Sequence, residues 1–459
     1  MSRQVETESG FSTDELFEYE NSKRVIDHPE TPSAYIEWRE ILPILSKKTT
    51  EHVGNLLDWS YTNSKRPLGS SREIFANNFE GADQEVLDEW MYNLSQTSIK
   101  DFIDFHLPFM RNFSDLSEKW KPSKLVGLYL EFYNNPSKGK IVNRFPEKLI
   151  VETTKSCNFS CVMCSSRTNG FQKKFTMDLE VFGEVIRVFS PHSETIRING
   201  YGEASIIPNI EDYIGCLDEF SFEGQREIIT NLSASYRVYE HLANEDFVLL
   251  VSWDAVDENL FKEIRVGADY DKMLKSLNKL GNELSDESER LILLSTVQEK
   301  NIDQIVPLVD LASDVGAGKL IFNIVKEEGD SKWMKNRFQE IKSEFTKANE
   351  RAENLEVDLK IPDHIGEQYL DIEGITQSAK ARCDRPFKEI QIRWNTELSV
   401  CNMFNPYYLG ILFRPNFPKY EQNMKKRFER LWNGPNYRLF RSIVNTERKH
   451  PYCEDCYYM

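Results

Sequence analysis

Long apolar runs are missing from this 459-residue chain. The longest, such as FVLLV at 247–251, are far too short to cross a bilayer. The opening residues, MSRQVETESGFSTDELFEYE, lack the apolar core of a secretory signal, so secretion and structural disulfides are not expected. Dense basic runs are missing as well. KKR at 425–427 is the nearest to one, in a chain of net charge −17 from 57 basic and 74 acidic residues. Such a surface is a poor partner for nucleic acid, and neither a nucleic-acid nor a membrane partner is expected. Internal repeats and low-complexity tracts are absent too. What remains is a globular composition, 40% hydrophobic and 29% charged, that predicts a cytoplasmic protein of two or three domains.

The first 145 residues hold no cysteine and carry helical signals. SAYIEWREILPILSKK, QEVLDEWMYNLSQ and IKDFIDFHLPFMRNF place apolar residues three and four apart, which predicts an α-helical N-terminal domain over 1–145. From about residue 146 short β-rich runs alternate with helical stretches. EKLIVETT, ETIRING, REIIT, FVLLVSW, RLILLSTV and GKLIFNIV are each followed by a helix, giving six strand–helix units over 146–330. That alternation predicts parallel strands with right-handed crossovers, an α/β open or partial barrel with its site at the carboxyl ends of the strands. A charged helical connector over 331–380 leads to a C-terminal module, 381–459. Within it KEIQIRWNTELSVCNMF reads as a β-hairpin turning at Asn395-Thr396.

Cysteine is scarce, eight in all, yet Cys157, Cys161 and Cys164 fall within the single stretch KSCNFSCVMCSS. In a reducing compartment clustered thiols are metal ligands more often than disulfide partners. Three thiolates do not complete a tetrahedral zinc site without a fourth ligand, and His192, the closest downstream histidine, lies beyond a whole helix. An iron–sulfur cubane held by three cysteines would leave one iron open.

This C-x3-C-x2-C loop, directly after the first strand of a six-unit α/β repeat, resembles that of the radical S-adenosylmethionine (SAM) superfamily over residues 146–330. The resemblance implies a partial (βα)6 barrel and a [4Fe–4S] cluster on Cys157, Cys161 and Cys164 with SAM on its open iron. INGYGEA matches the family's glycine–glutamate motif, which implies SAM amino-group binding by Gly200, Gly202 and Glu203. Ala204 stands where a proline is usual, and Met163 where an aromatic residue is common. Asn231 at the end of the third strand, and Ser252 and Asp254 at the end of the fourth, are similar to residues that contact ribose and the methionine carboxylate. FKEIRVGADYDKMLKSLNKL resembles the helix after the fourth strand, including Arg265. The implied chemistry is reductive cleavage of SAM to methionine and a 5′-deoxyadenosyl radical, which takes a hydrogen atom from an unactivated carbon; no catalytic side chain is assigned. Without the resemblance, Gly200 and Gly202 read as an ordinary strand-end turn, and Ser252 or Asp254 as helix caps.

Cys383, Cys401, Cys453 and Cys456 form a second set, C-x17-C and a terminal C-x2-C, which on spacing alone suits zinc. CDRPFKEIQIRWNTELSVC, LWNGPNYRLFR and YCEDC are similar to the SPASM and Twitch auxiliary-cluster modules. That implies one auxiliary, fully ligated [4Fe–4S] cluster on these four cysteines, in a small hairpin-and-helix cluster-binding module. Cys216, on the helix after the second strand, reads as a core thiol, with a hydrogen-atom donor as the alternative. The resemblance also implies a flavodoxin or ferredoxin electron donor. Enzymes with such modules mostly modify ribosomally made peptides, so peptide maturation is the leading expectation. The N-terminal region lacks the strands of a leader-binding winged helix, which would leave leader recognition to a separate protein. Oxidation of a small polar metabolite, as by an aminocyclitol dehydrogenase, is the alternative, and a zinc-stapled binding protein the alternative of another class.

Overall fold

The computed structural model describes residues 139–164, 170–325, 333, 336–361, 383–401, 408–413, 423–446 and 453. The helical domain expected over 1–145 lies almost wholly outside them, as does Cys456. The chain divides into two compact units, Asn143–Asn405 with Asp455–Met459, and Met1–Val142 with Pro406–Glu454.

In the first unit β1 (Lys148–Val151), β2 (Thr195–Arg197), β3 (Gln225–Thr230), β4 (Phe247–Ser252), β5 (Leu291–Val297) and β6 (Lys319–Ile324) run in order through one parallel sheet. The connections carry α1 (Leu179–Phe189), α2 (Ile210–Glu219), α3 (Tyr236–Asn244), α4 (Glu258–Ile264), α5 (Tyr270–Glu283) and α6 (Ile305–Asp314), with α7 (Phe338–Leu355) after β6. The six expected strand–helix units are therefore present. Their helices begin where short polar side chains can satisfy the first exposed amides. Asp178 accepts from Glu180 N, Asp257 from Leu260 N and Asp269 from Lys272 N. Apolar residues then recur on one face, as with Phe182, Val185, Ile186 and Phe189 of α1, all buried.

Three strands of this unit lie beyond the six. Within the expected connector, β7 (Asp358–Lys360) pairs in parallel with β6. After the short α8 (Arg385–Lys388), β8 (Glu389–Ile392) pairs in parallel with β1 and antiparallel with β9 (Glu397–Ser399). The expected hairpin is thus real, with Thr396 in the left-handed region at φ 65°. It is not a module apart, however: β8 extends the barrel sheet on the open side of β1. Backbone groups at the edge of β1 need partners, and β8 supplies them.

Register separates the two faces of the sheet. Phe322 of β6 meets Phe345 of α7 edge-on at 5.3 Å, so its face is the one the helices cover. Following the pairings strand by strand, the opposite face carries Lys148, Ile150 and, by continued alternation, Glu152 next to β1. On β2, β3, β4 and β8 it carries Arg197, Glu227, Ser252 and Gln391. Toward the amino ends this inner face is closed by an ion triad: Glu227 accepts from Lys148 Nζ at 2.8 Å and from Arg197 Nη2 at 2.6 Å. Polar side chains, Glu152, Asn231 and Ser252 among them, lie at or just past the carboxyl ends.

In the second unit the described elements are β10 (Tyr408–Ile411), α9 (Met424–Trp432) and α10 (Pro435–Ile443). Arg441 is fully buried there, 4.3 Å from the Trp432 ring and 4.0 Å from that of Tyr437, and donates to the Trp432 carbonyl at 2.8 Å. Among the described residues no helix is long and apolar enough to cross a membrane.

Candidate active site

Five residues separate the end of β1 from Cys157, and the loop that follows is pinned on both flanks. Gly170 N donates to Cys157 O at 2.7 Å on one side. On the other, Ser160 N donates to Val266 O and Val162 N to Ile264 O, each at 2.9 Å. Within the loop Cys164 N donates to Cys161 O at 3.1 Å, and Phe159, buried, anchors the turn. None of the described cysteines is in a disulfide. Burial pushes the Cys157 thiol up to about 12, with the charges of Glu203 and of the neighbouring thiols adding to it. Burial pushes the Cys161 thiol up as well, while the Arg265 guanidinium pulls it down. Cys157 and Cys161 with this bias require a strong positive centre before they give up their protons.

Among the described residues no three Cys, His, Asp or Glu side chains converge as the ligands of a single ion do. Cys157, Cys161 and Cys164 follow one another along one loop.

Gly200 and Gly202 are required by close approach. A β-carbon on Gly200 would lie 2.6 Å from Glu152 Oε2, and one on Gly202 would lie 2.2 Å from Thr154 O and 2.6 Å from Ser156 O. Glu203 N donates to Ser156 O at 2.8 Å, so this turn is laced to the segment that launches the cysteine loop. The Glu203 carboxylate is buried on the α3 side of β3. It accepts from Ser205 Oγ at 2.6 Å, Thr230 Oγ1 at 2.8 Å and Asn231 N at 2.6 Å. Burial raises its pKa and these donors oppose the rise. In this arrangement Glu203 fixes the end of β3, and through it Asn231.

Asn231 in turn faces the loop. Its amide donates to Asn158 Oδ1 at 3.1 Å and lies 3.9 Å from Cys157 Sγ, while its oxygen accepts from Ser233 Oγ at 2.6 Å. Ser252 sits half-buried at the carboxyl end of β4 on the inner face. Asp254, two residues on, is fully buried and turned elsewhere. Its carboxylate forms an ion pair with Arg265 Nη2 at 2.8 Å and accepts from Thr296 N at 2.7 Å. The structure therefore brings Gly200, Gly202, Glu203 and Asn231 around the launch of the loop, Ser252 to the strand ends, and Asp254 to Arg265 behind it.

Sequence reasoning missed Glu152, Asn158 and Arg393. Glu152 is fully buried, and its carboxyl is raised by burial against the pull of Arg393. Its Oε2 accepts from Tyr201 N at 3.3 Å, while Oε1 is buried without a hydrogen bond. Arg393, just past β8, lies 5.7 Å from the Tyr201 ring. The available signal was the lone acid in KLIVETT, on the parity of the inner face. Cys216 is buried on α2, donating to Asp212 O at 3.4 Å.

Of the second cysteine set, Cys383 precedes α8 and Cys401 follows β9, so both lie at the open end of one hairpin. Arg385 Nη1 approaches Cys401 Sγ at 4.0 Å. Cys453 belongs to the other unit.

Residues 383–457 match the SPASM family, an iron–sulfur cluster-binding domain. No curated protein matches the chain in sequence. Among solved structures, Streptococcus suis SuiB bound to the precursor peptide SuiA is similar at 12% identity and TM-score 0.50, over 72% of this chain and 73% of that one. SuiB alone gives 15% identity and TM-score 0.50, over 77% and 82%. Histidine-tagged anSMEcpe with bound AdoMet gives 14% identity and TM-score 0.50, over 68% and 83%. At these identities the likeness is one of fold. The chain thus shares the fold of these structures over about seven tenths of its length, and its residues 383–457 match an iron–sulfur cluster-binding domain.

Proposed function

We propose that this protein is a radical SAM enzyme that acts on a peptide or protein, with a catalytic cluster on Cys157, Cys161 and Cys164 and an auxiliary cluster in its SPASM module. The observation that carries the reading is the pinned three-cysteine loop just past the carboxyl end of β1 in the parallel sheet. A [4Fe–4S] cluster bound there would supply the electron that splits the SAM sulfonium and so the radical that abstracts hydrogen.

The chain's own residues would do the rest. Asn158 and Asn231 brace the loop beside Cys157. Gly200 and Gly202 bring the backbone of the second strand's end against the start of the loop, where the SAM amino group would lie. Ser252 offers a hydroxyl to a ribose at the mouth of the barrel. The Lys148–Glu227–Arg197 triad closes the far end against water. A SPASM module gives a route for the electron left by a substrate radical, which favours net oxidation or bond formation. SuiB, of the same fold, is bound to a precursor peptide, which supports a peptide substrate here.

The test is iron and sulfide content, and conversion of SAM to 5′-deoxyadenosine and methionine by the reduced, anaerobically reconstituted chain. Wild type is expected to hold about eight irons, and the Cys157/Cys161/Cys164→Ala triple variant about four with no 5′-deoxyadenosine formed. Wild-type protein that takes up no iron would exclude the enzyme reading.

A further inference from the structure

Two hydrogen bonds align the cysteine loop with the end of α4. Ser160 N reaches Val266 O and Val162 N reaches Ile264 O, both at 2.9 Å. Segments bonded in this way run antiparallel, and the residues between the two bonds, Cys161 and Arg265, stand opposite each other. Arg265 is buried, with 7% of its surface exposed. Its Nη2 is paired with Asp254 at 2.8 Å, yet its Nε is buried and meets no acceptor. A buried donor left without a partner costs stability unless a ligand supplies the acceptor. Asp254 is itself immobilised: the Thr296 amide donates to its carboxylate at 2.7 Å and Asn301 Nδ2 to its carbonyl at 2.8 Å. The guanidinium is therefore held in one place, beside a cysteine, with a donor to spare.

We propose that Arg265, held by Asp254, directs a positive charge and an N–H group at the sulfur atoms of the cluster bound through Cys161, and thereby sets that cluster's reduction potential. This rests on the proposed function, since it needs the loop to carry a cluster. Local charge and hydrogen bonds to the sulfurs are among the protein's principal means of shifting such potentials. A cation beside the cluster favours the reduced, more negative state, so Arg265 raises the potential and eases delivery of the electron. The buried carboxylate of Asp254 partly offsets that charge while it holds the fork in place. Arg265 is thus a positioning and tuning residue rather than a catalytic one.

The experiment is a redox titration of the reconstituted full-length chain, following the EPR signal that shifts on adding SAM. That shift singles out the cluster with an open iron. Arg265→Gln is expected to move the midpoint to more negative potential. Arg265→Lys, which keeps the charge, should stay close to wild type, and Asp254→Asn should move it to more positive potential. Arg265→Gln and Asp254→Asn both at the wild-type midpoint, or both displaced the same way, would overturn the inference. If Arg265→Gln does not fold, the other two variants still decide it: a Lys variant near wild type with an upward shift in Asp254→Asn supports it, and any other pair of results overturns it. A wild-type protein with no SAM-sensitive cluster overturns the proposed function, and this inference with it. An intact cluster with unmoved potentials overturns this inference alone.

Discussion

The α-carbon of Gly202 is seated so closely on the launch of the cysteine loop that an added β-carbon would lie 2.2 Å from the carbonyl oxygen of Thr154. The neighbours are backbone, which has no rotamer by which to yield. Gly202→Ala is therefore expected to destabilise the chain by about 1–3 kcal/mol and to lower iron uptake at the three-cysteine loop. Gly215, exposed inside α2 with nothing within 4 Å of an added β-carbon, is the control. Gly215→Ala should stabilise by about 0.5–1 kcal/mol. Urea midpoints and iron content of the two variants check the pair.

Glu227 predicts an acid limb. Burial alone would raise its carboxyl, but Arg197 and Lys148 outweigh burial and hold it below the usual range. A depressed folded pKa contributes stability that is present above the unfolded value and lost as pH falls through the folded one. Wild type should then lose stability below about pH 4.3, the ordinary glutamate value. Glu227→Gln should lose less over that window while being weaker at pH 7 by about 3–5 kcal/mol, because two cations are left half-buried without their anion. Urea midpoints from pH 7 to pH 3 measure both effects.

Much of this was legible in the sequence, for reasons particular to each element. β4, FVLLVS, reads as a continuous apolar run because both faces of a parallel strand are covered. The cysteine spacing is local, and so survives as a motif. The fate of the hairpin was not legible. Which edge β8 would join depends on the unpaired side of β1, some 240 residues away, and nothing in EIQI records that. The roles of Asp254 and Glu203 were hidden for a similar reason. A strand-end acid looks the same whether it faces a ligand or, as with Asp254 and Arg265, an arginine eleven positions on. Only register assigns it to a face.

Glu152 predicts the opposite pH dependence from Glu227. Burial raises its carboxyl, with Arg393 opposing, and a raised folded pKa gives stability that is present below the unfolded value and lost as pH rises through the folded one. Between pH 5 and pH 8 the wild type should therefore lose ground relative to Glu152→Gln, and the difference in their urea midpoints should move in the variant's favour. A constant difference across that range would show the carboxyl to be unperturbed. Because Glu152 also supports Gly200 and Tyr201, the absolute stability of the variant is not the readout; its slope with pH is.

The two cysteine sets should be separable by iron content. Cys383 and Cys401 lie at the open end of the β8–β9 hairpin, while Cys157, Cys161 and Cys164 lie on the loop after β1. Each set has its own backbone support: the loop is held by Gly170, Ile264 and Val266, none of which belongs to the hairpin. Cys383→Ala/Cys401→Ala is expected to remove about four irons and leave the SAM-sensitive EPR signal in place. Slow formation of 5′-deoxyadenosine without substrate should persist, since SAM needs only the open iron of the first cluster. Loss of the SAM-sensitive signal in this double variant would mean that the loop depends on the hairpin for its own cluster. β8 pairs directly with β1, so that dependence would have a route: melting the hairpin would strip β1 of its partner and loosen the strand that launches Cys157.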